Sequence, residues 1–98
     1  MSTKPKTLDE AFTLITKEML DIFLKKHQDY GKSNILSIQE LGIAYRETEK
    51  IERLKHLLST NATPTNEPIN DTWIDIGVYA VIALMLRKGW FQSLELQD

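Results

Sequence analysis

From Ile76 to Leu86 the chain runs for eleven residues without a charge. Pro68 upstream suits a first helical position, where its missing N–H costs nothing, and Gly89 downstream is a C-terminal stop. Together they bracket a helix from about Ile69 to Lys88, polar at its start and apolar on every side from Ile76 onward. A helix that is apolar all round must be covered all round. The other helices of a 98-residue chain can hardly do this, because a domain of this size removes only roughly 60 to 65% of its unfolded surface on folding. The sequence therefore predicts a homo-oligomer, dimer or tetramer, in which this helix packs against its copy. The alternative is a monomer with Trp90 and Phe91 folded back over the open side. Eleven apolar residues are too few to span a bilayer, so no membrane partner is expected.

Two further helices are legible. Thr7-Leu-Asp-Glu10 fits a capping box, and Leu8, Phe12, Ile15, Met19, Ile22 and Phe23 follow at three-to-four-residue steps until Asp29-Tyr30-Gly31. A second box, Ser37-Ile-Gln-Glu40, opens a segment with apolar positions Ile38, Leu41, Tyr45, Ile51, Leu54 and Leu58, in which Gly42 is a weak point. Asn34 to Ser37 reads as a connector and Ser59 to Asn66 as a loop of eight residues. No strand alternation or internal repeat is visible. The expectation is an all-α fold, a small antiparallel helical bundle in one domain over 1–98, with a flexible N-terminus at 1–6 and a tail at 90–98.

With 12 Lys and Arg against 14 Asp and Glu, the net charge of -2 gives no footprint for general nucleic-acid binding. The absence of cysteine excludes disulfides and thiolate metal sites. Residues 1–6 are charged but lead into no signal-type apolar stretch, which points to the cytoplasm. Ten of the twelve bases lie in residues 1–56, whereas 57–98 hold Arg87 and Lys88 beside five acids. A site between the two parts has both signs of charge available.

Positions three or four apart share a helix face, which pairs Glu49 with Glu52 and Asp71 with Asp75. If the second and third helices are antiparallel, as a short connection favours, these four acids can converge on a hard divalent ion. Magnesium takes oxygen ligands and keeps waters and substrate phosphates in its shell, so such a site implies a phosphorylated substrate. The competing reading pairs Glu49 with Arg53 and Glu52 with His56, and sets Asp71 against the helix dipole. Lys25 to Lys32 combines cations, Tyr30 and Gly31 in a helix-ending loop, suited either to phosphate and a stacked base or simply to complementing the dipole. Trp73 is a base platform or a core residue, His27 and His56 are not spaced as metal ligands, and Gly77 permits close backbone approach.

Three motifs in order, Lys26-His-Gln-Asp-Tyr-Gly31, Arg46-Glu-Thr-Glu-Lys-Ile-Glu-Arg-Leu54 and Glu67-Pro-Ile-Asn-Asp-Thr-Trp-Ile-Asp75 with Tyr79-Ala80, resemble the nucleotide modification associated domain 1 family of bacteriophages and bacteria. That family in turn is similar to the MazG-like all-α nucleoside triphosphate pyrophosphohydrolases, whose E-x-x-E and E-x-x-D motifs bind magnesium. The resemblance implies a bundle of that type completed by oligomerisation, in the host cytoplasm if phage-encoded. It implies magnesium on Glu49, Glu52, Asp71 and Asp75, although Thr72 stands where the second motif has its Glu. Glu49 or Glu52 would help activate water. Lys26, Lys32, Lys50 and Arg53 would neutralise phosphates, and Asp29, Tyr30, Arg46 and Trp73 complete the expected ligand-binding set. The implied reaction is hydrolysis of a deoxy- or modified nucleoside triphosphate to monophosphate and pyrophosphate. The alternative is a non-catalytic protein that sequesters a signalling or modified nucleotide, and the Thr72 departure favours it.

Overall fold

The computed structural model describes residues 4–65 and 67–97. They form α1 (Leu8–Tyr30), α2 (Ser33–Thr60), α3 (Ile69–Arg87) and a short α4 (Trp90–Ser93), with no strand among the described residues. The fold is all-α with four helices, one more than the sequence announces. The expected flexible N-terminus falls partly on residues 1–3, which lie outside the described residues, as do Asn66 of the expected loop and Asp98 of the expected tail.

α1 is capped as expected: Thr7 Oγ1 accepts the Glu10 N–H at 3.1 Å, and the Glu10 carboxylate accepts the Lys6 N–H at 2.8 Å. The helix continues through Asp29 and Tyr30 and stops at Gly31, where φ of 64° ends the ladder and the N–H donates to the His27 carbonyl.

The second helix departs from expectation. It begins at Ser33, so Asn34 to Ser37 are helical, and Ser37 Oγ donates back to the Asn34 carbonyl instead of capping a new start. The break falls at Gln39 (φ 57°, ψ -169°), not at Gly42. It resets the phase of the helix, and the inward face beyond it runs through Ile43, Glu47, Lys50, Leu54 and Leu57 at alternating steps of four and three. Of the apolar positions expected to form the buried stripe, Leu54 is buried, whereas Leu41 and Tyr45 are 68% and 67% exposed. Gln39 occupies a backbone region that is essentially glycine-only and costs about 1–3 kcal/mol for other residues. Gln39→Gly should therefore stabilise the protein by about 1 kcal/mol, after loss of the Gln39 Nε2 hydrogen bond to the Leu36 carbonyl and the extra unfolded-chain entropy of glycine. A urea titration that gave a lower midpoint for the variant would contradict this.

α3 is central. α1 and α2 each pack on it, and the pairs Arg53–Thr72, Lys50–Asp75 and Glu40–Arg87 establish that α2 and α3 are antiparallel. Ile74, Val78, Ile82 and Leu86 form its buried row and meet Ile35, Ile43 and Phe91, with Met19, Ile22 and Phe23 of α1 closing over them. Gly77 leaves room for the tip of the Met19 side chain, which a Cβ there would meet, rather than for a close approach of backbones. Pro68 stands one residue before the helix, its carbonyl accepting the Asp71 and Thr72 N–H groups. Gly89 takes φ of 75° and lets the chain turn into α4, so the expected tail begins as a helix whose Phe91 is 5% exposed. Lys32 fastens α4 and the segment after it through the Gln92 and Leu94 carbonyls and the Glu95 carboxylate. The outer side of α3 stays open at Trp73, Val81 and Leu84, which are 49%, 50% and 59% exposed. Taken whole, α3 is long and apolar enough to cross a membrane by length and composition, which the eleven-residue run alone is not.

Candidate ligand site

Where the C-terminal half of α1 leans on α3, the start of α2 and Phe91 close a cavity of about 330 Å³. Its apolar wall comes from Phe23, Ile35, Val78, Ile82 and Phe91, and His27 meets the Phe91 ring edge-on at 6.0 Å. Its polar rim is cationic and phenolic, with Lys26 and Arg46 beside Tyr30 and Tyr79, and no carboxylate lies among its described lining residues. The helix spacing explains the set: Phe23, Lys26, His27 and Tyr30 recur at three-to-four-residue steps along one face of α1.

Next to this cavity sits an ionic cluster built on Asp75. Lys26 Nζ lies 2.9 Å from one carboxylate oxygen and Lys50 Nζ 3.2 Å from the other. Burial alone would raise the Asp75 pKa, but the hydrogen bonds and charges of Lys26 and then Lys50 outweigh it and hold it below the usual aspartate value. Lys26 answers in kind: burial disfavours its charge, and Asp75 more than restores it, so its pKa is raised. Lys50 also stands 6.0 Å from the centre of the Tyr79 ring. One turn before Lys50, Glu47 has a buried Oε1 without a hydrogen-bond partner among the described residues. Burial raises its pKa, with Lys50 opposing and Asp75 reinforcing the shift.

A second cavity of about 310 Å³ lies on the other side of Lys26, lined by Ile22, Ile74, Glu67, Asp71 and Asp75. Of the four acids expected on a metal, Asp71 and Asp75 meet here. Glu49 and Glu52 do not join them. They are exposed, on the side of α2 away from the Glu47–Lys50–Leu54 face, and Glu52 pairs with Lys55 at 3.3 Å. No three His, Cys, Asp or Glu side chains among the described residues are grouped as a metal site, and both oxygens of Asp75 already face ammonium groups. As arranged, the four expected acids do not converge on one site.

The remaining expected residues divide by position. Lys26, Tyr30 and Arg46 line the first cavity, and Lys50 reaches its edge through Tyr79. Arg53 is committed elsewhere: its guanidinium donates to Thr72 Oγ1 at 2.6 Å and to the Glu67 carbonyl, while Thr72 Oγ1 donates to the Glu67 carboxylate at 3.1 Å. Thr72 is fully buried and serves as the middle of this knot, which ties the α2–α3 connection to the start of α3. Among the ion pairs of the described residues, the anticipated Glu49–Arg53 and Glu52–His56 pairs do not occur, and Glu52 pairs with Lys55 instead. Lys32 holds the C-terminal segment, and Asp29 and Trp73 line neither cavity. Residues that sequence reasoning left out of the site are Phe23, Glu47, Tyr79 and Phe91. Of these, Phe23 was visible as part of the α1 stripe and Tyr79 as part of the third motif. The chain matches no family model, no curated protein and no solved structure.

Proposed function

We propose that the first cavity binds a small anionic ligand carrying a planar ring, of the nucleotide class, and that the protein acts as a nucleotide-binding and sequestering protein of the cytoplasm. The observation that carries this reading is the pairing of Lys26 and Arg46 with an aromatic and aliphatic wall and no lining carboxylate. Cations among the lining of a partly apolar pocket match phosphate, and the aromatic rings of Tyr30 and Tyr79 suit a base. The resemblance to the nucleotide modification associated domain 1 and MazG-like families supports the same ligand class.

Magnesium-dependent pyrophosphohydrolysis is the second reading. The acids Glu67, Asp71 and Asp75 beside Lys26 favour it, while the outward Glu49 and Glu52 count against it. Calorimetric titration with nucleoside mono-, di- and triphosphates, with and without magnesium, followed by chromatography of the mixtures, separates the two. The sequestering reading expects intact ligand recovered from a tight complex, whereas monophosphate plus pyrophosphate would establish the enzyme. Arg46 is exposed and holds no ion pair among the described residues, so Arg46→Ala should weaken binding about tenfold, the loss of one charge-assisted contact of about 1.4 kcal/mol, without loss of helix. If no nucleotide binds the parent protein, the proposal fails.

Completion of the bundle by self-association through the outer face of α3 belongs to this proposal too. The chain exposes 7705 Å², where a folded monomer of 11.3 kDa is expected to expose about 5,700 Å². Its radius of gyration of 15.2 Å exceeds the roughly 13 Å of a compact domain of this length.

A further inference from the structure

α1 is 23 residues long and contains no buried residue, although its apolar seam has strict heptad spacing. Leu8, Phe12, Ile15, Met19 and Ile22 follow one another at steps of four and three. The second half of the seam is used within the chain, Met19 lying against Gly77 and Ile22 joining the core. The first half has no cover: Leu8, Phe12 and Ile15 are 87%, 72% and 48% exposed. On α3 the complementary surface is equally open. Trp73, Gly77, Ala80 and Leu84 repeat at the same steps, with Val81 beside them, and Met19 covers this row at Gly77 while Val81 and Leu84 stay half exposed or more.

Resting on the self-association reading above, we propose that the occupant of the α3 row is the overhanging first half of α1 from a second copy, exchanged reciprocally across a two-fold axis. Three observations select this partner. The excess surface, about 2,000 Å² by comparison with a compact monomer, exceeds the roughly 800 Å² per chain of a standard interface. The two rows share one spacing, so side chains of one fit between those of the other. Their ends also carry complementary charges: the first turn of α1 holds Asp9 and Glu10, just after Lys4 and Lys6, and α3 is followed by Lys88, next to Arg87, which is paired with Glu40. An antiparallel pairing brings Asp9 towards Lys88, Phe12 towards Leu84 and Ile15 towards Val81, and sets the two helix dipoles head to tail. A two-fold operation supplies the contact twice and leaves no open end. In this arrangement α3 does not pack on its own copy, which refines the assembly expected from sequence.

The chain has no cysteine, so single cysteines report on single contacts. Phe12→Cys and Leu84→Cys variants would be prepared separately, mixed at micromolar concentration and oxidised, with light scattering on the parent protein. The expected results are a dimer mass and a disulfide-linked product in the mixture several-fold above either variant alone. Phe12→Glu, an exposed site where folding is not at stake, should give the mass of one chain. A dimer in which Leu84→Cys links to itself as efficiently as in the mixture would overturn the exchange and leave self-association through α3 standing. A one-chain mass for the parent, or its partition into phosphatidylcholine vesicles as single chains, would overturn both.

Discussion

Asp75→Asn is expected to destabilise the fold by about 2 kcal/mol and, in the same protein, to tighten anion binding in the first cavity about tenfold. Breaking a buried ion pair by removing one partner costs about 3–5 kcal/mol because the remaining charge is left uncompensated. The cost here is lower, since the Lys26 side chain is 48% exposed and can turn to water, whereas Lys50 at 24% has less freedom. The same release makes the Lys26 charge available to a ligand in the cavity it lines. If Asp75 were instead a metal ligand, the substitution would weaken magnesium-dependent nucleotide binding, so the sign of the affinity change separates the two roles. Acid provides a second check. The folded pKa of Asp75 is lowered, so its contribution is complete above the unfolded value of about 3.9 and is lost as pH falls through the lower folded value. Parent and variant should differ in urea midpoint at pH 7 and converge on acidification below about pH 4. A gap that persists unchanged in acid would mean that the ion pairs contribute nothing.

Local chemistry was the legible part of the fold. The Thr7 cap, the stops at Gly31 and Gly89 and the start after Pro68 depend on residues within a few positions, and each falls within two residues of its expected place. The second helix is misread from sequence because its decisive residue carries no local signature. A glutamine at positive φ is uncommon, and nothing in Ser37-Ile-Gln-Glu40 advertises it. Beyond the break the expected apolar positions do not share one face: Leu41 and Tyr45 turn outward, whereas Leu54 turns inward. The last helix escapes because four residues, Trp90–Ser93, leave no periodicity to read, and only burial of Phe91 reveals their role.

The same phase error explains the site. Glu49 and Glu52 satisfy a spacing rule, but spacing fixes only that two side chains share a face, not which way the face turns. The inward carboxylate is Glu47, one step of four from Ile43 and one of three from Lys50. Lys26, Tyr30 and Arg46 are legible because the helix-ending loop and the second motif point to them directly. Asp75 is legible too, as an acid among apolar neighbours, but its partners are 49 and 25 positions away in sequence and no local pattern names them. Arg53 and Thr72 show the converse. A cation that suits a phosphate on paper, and the residue standing in place of an expected acid, are engaged in holding Glu67 and the α2–α3 connection.

Ile43→Ala is expected to cost about 3 kcal/mol, while Leu41→Ala, two positions earlier in the same helix, costs less than about 0.5 kcal/mol. Ile43 is 1% exposed and belongs to the cluster formed with Ile74, Val78, Ile82 and Leu86. Truncating it removes buried methyl and methylene groups and leaves a cavity between α2 and α3 that two helices packed on a common core close only in part. Leu41 is 68% exposed and loses little. For a domain of this size the larger loss lowers the melting temperature by roughly 15 °C, and it removes a sizeable share of a total stability on the order of 5–15 kcal/mol. The pair also tests the Gln39 break, since an unbroken helix in the register read from sequence would bury Leu41. Thermal denaturation of the two variants in parallel would then give the opposite order, with Leu41→Ala the more damaging. The comparison is cleanest at low protein concentration, where a second copy contributes least to the measured stability.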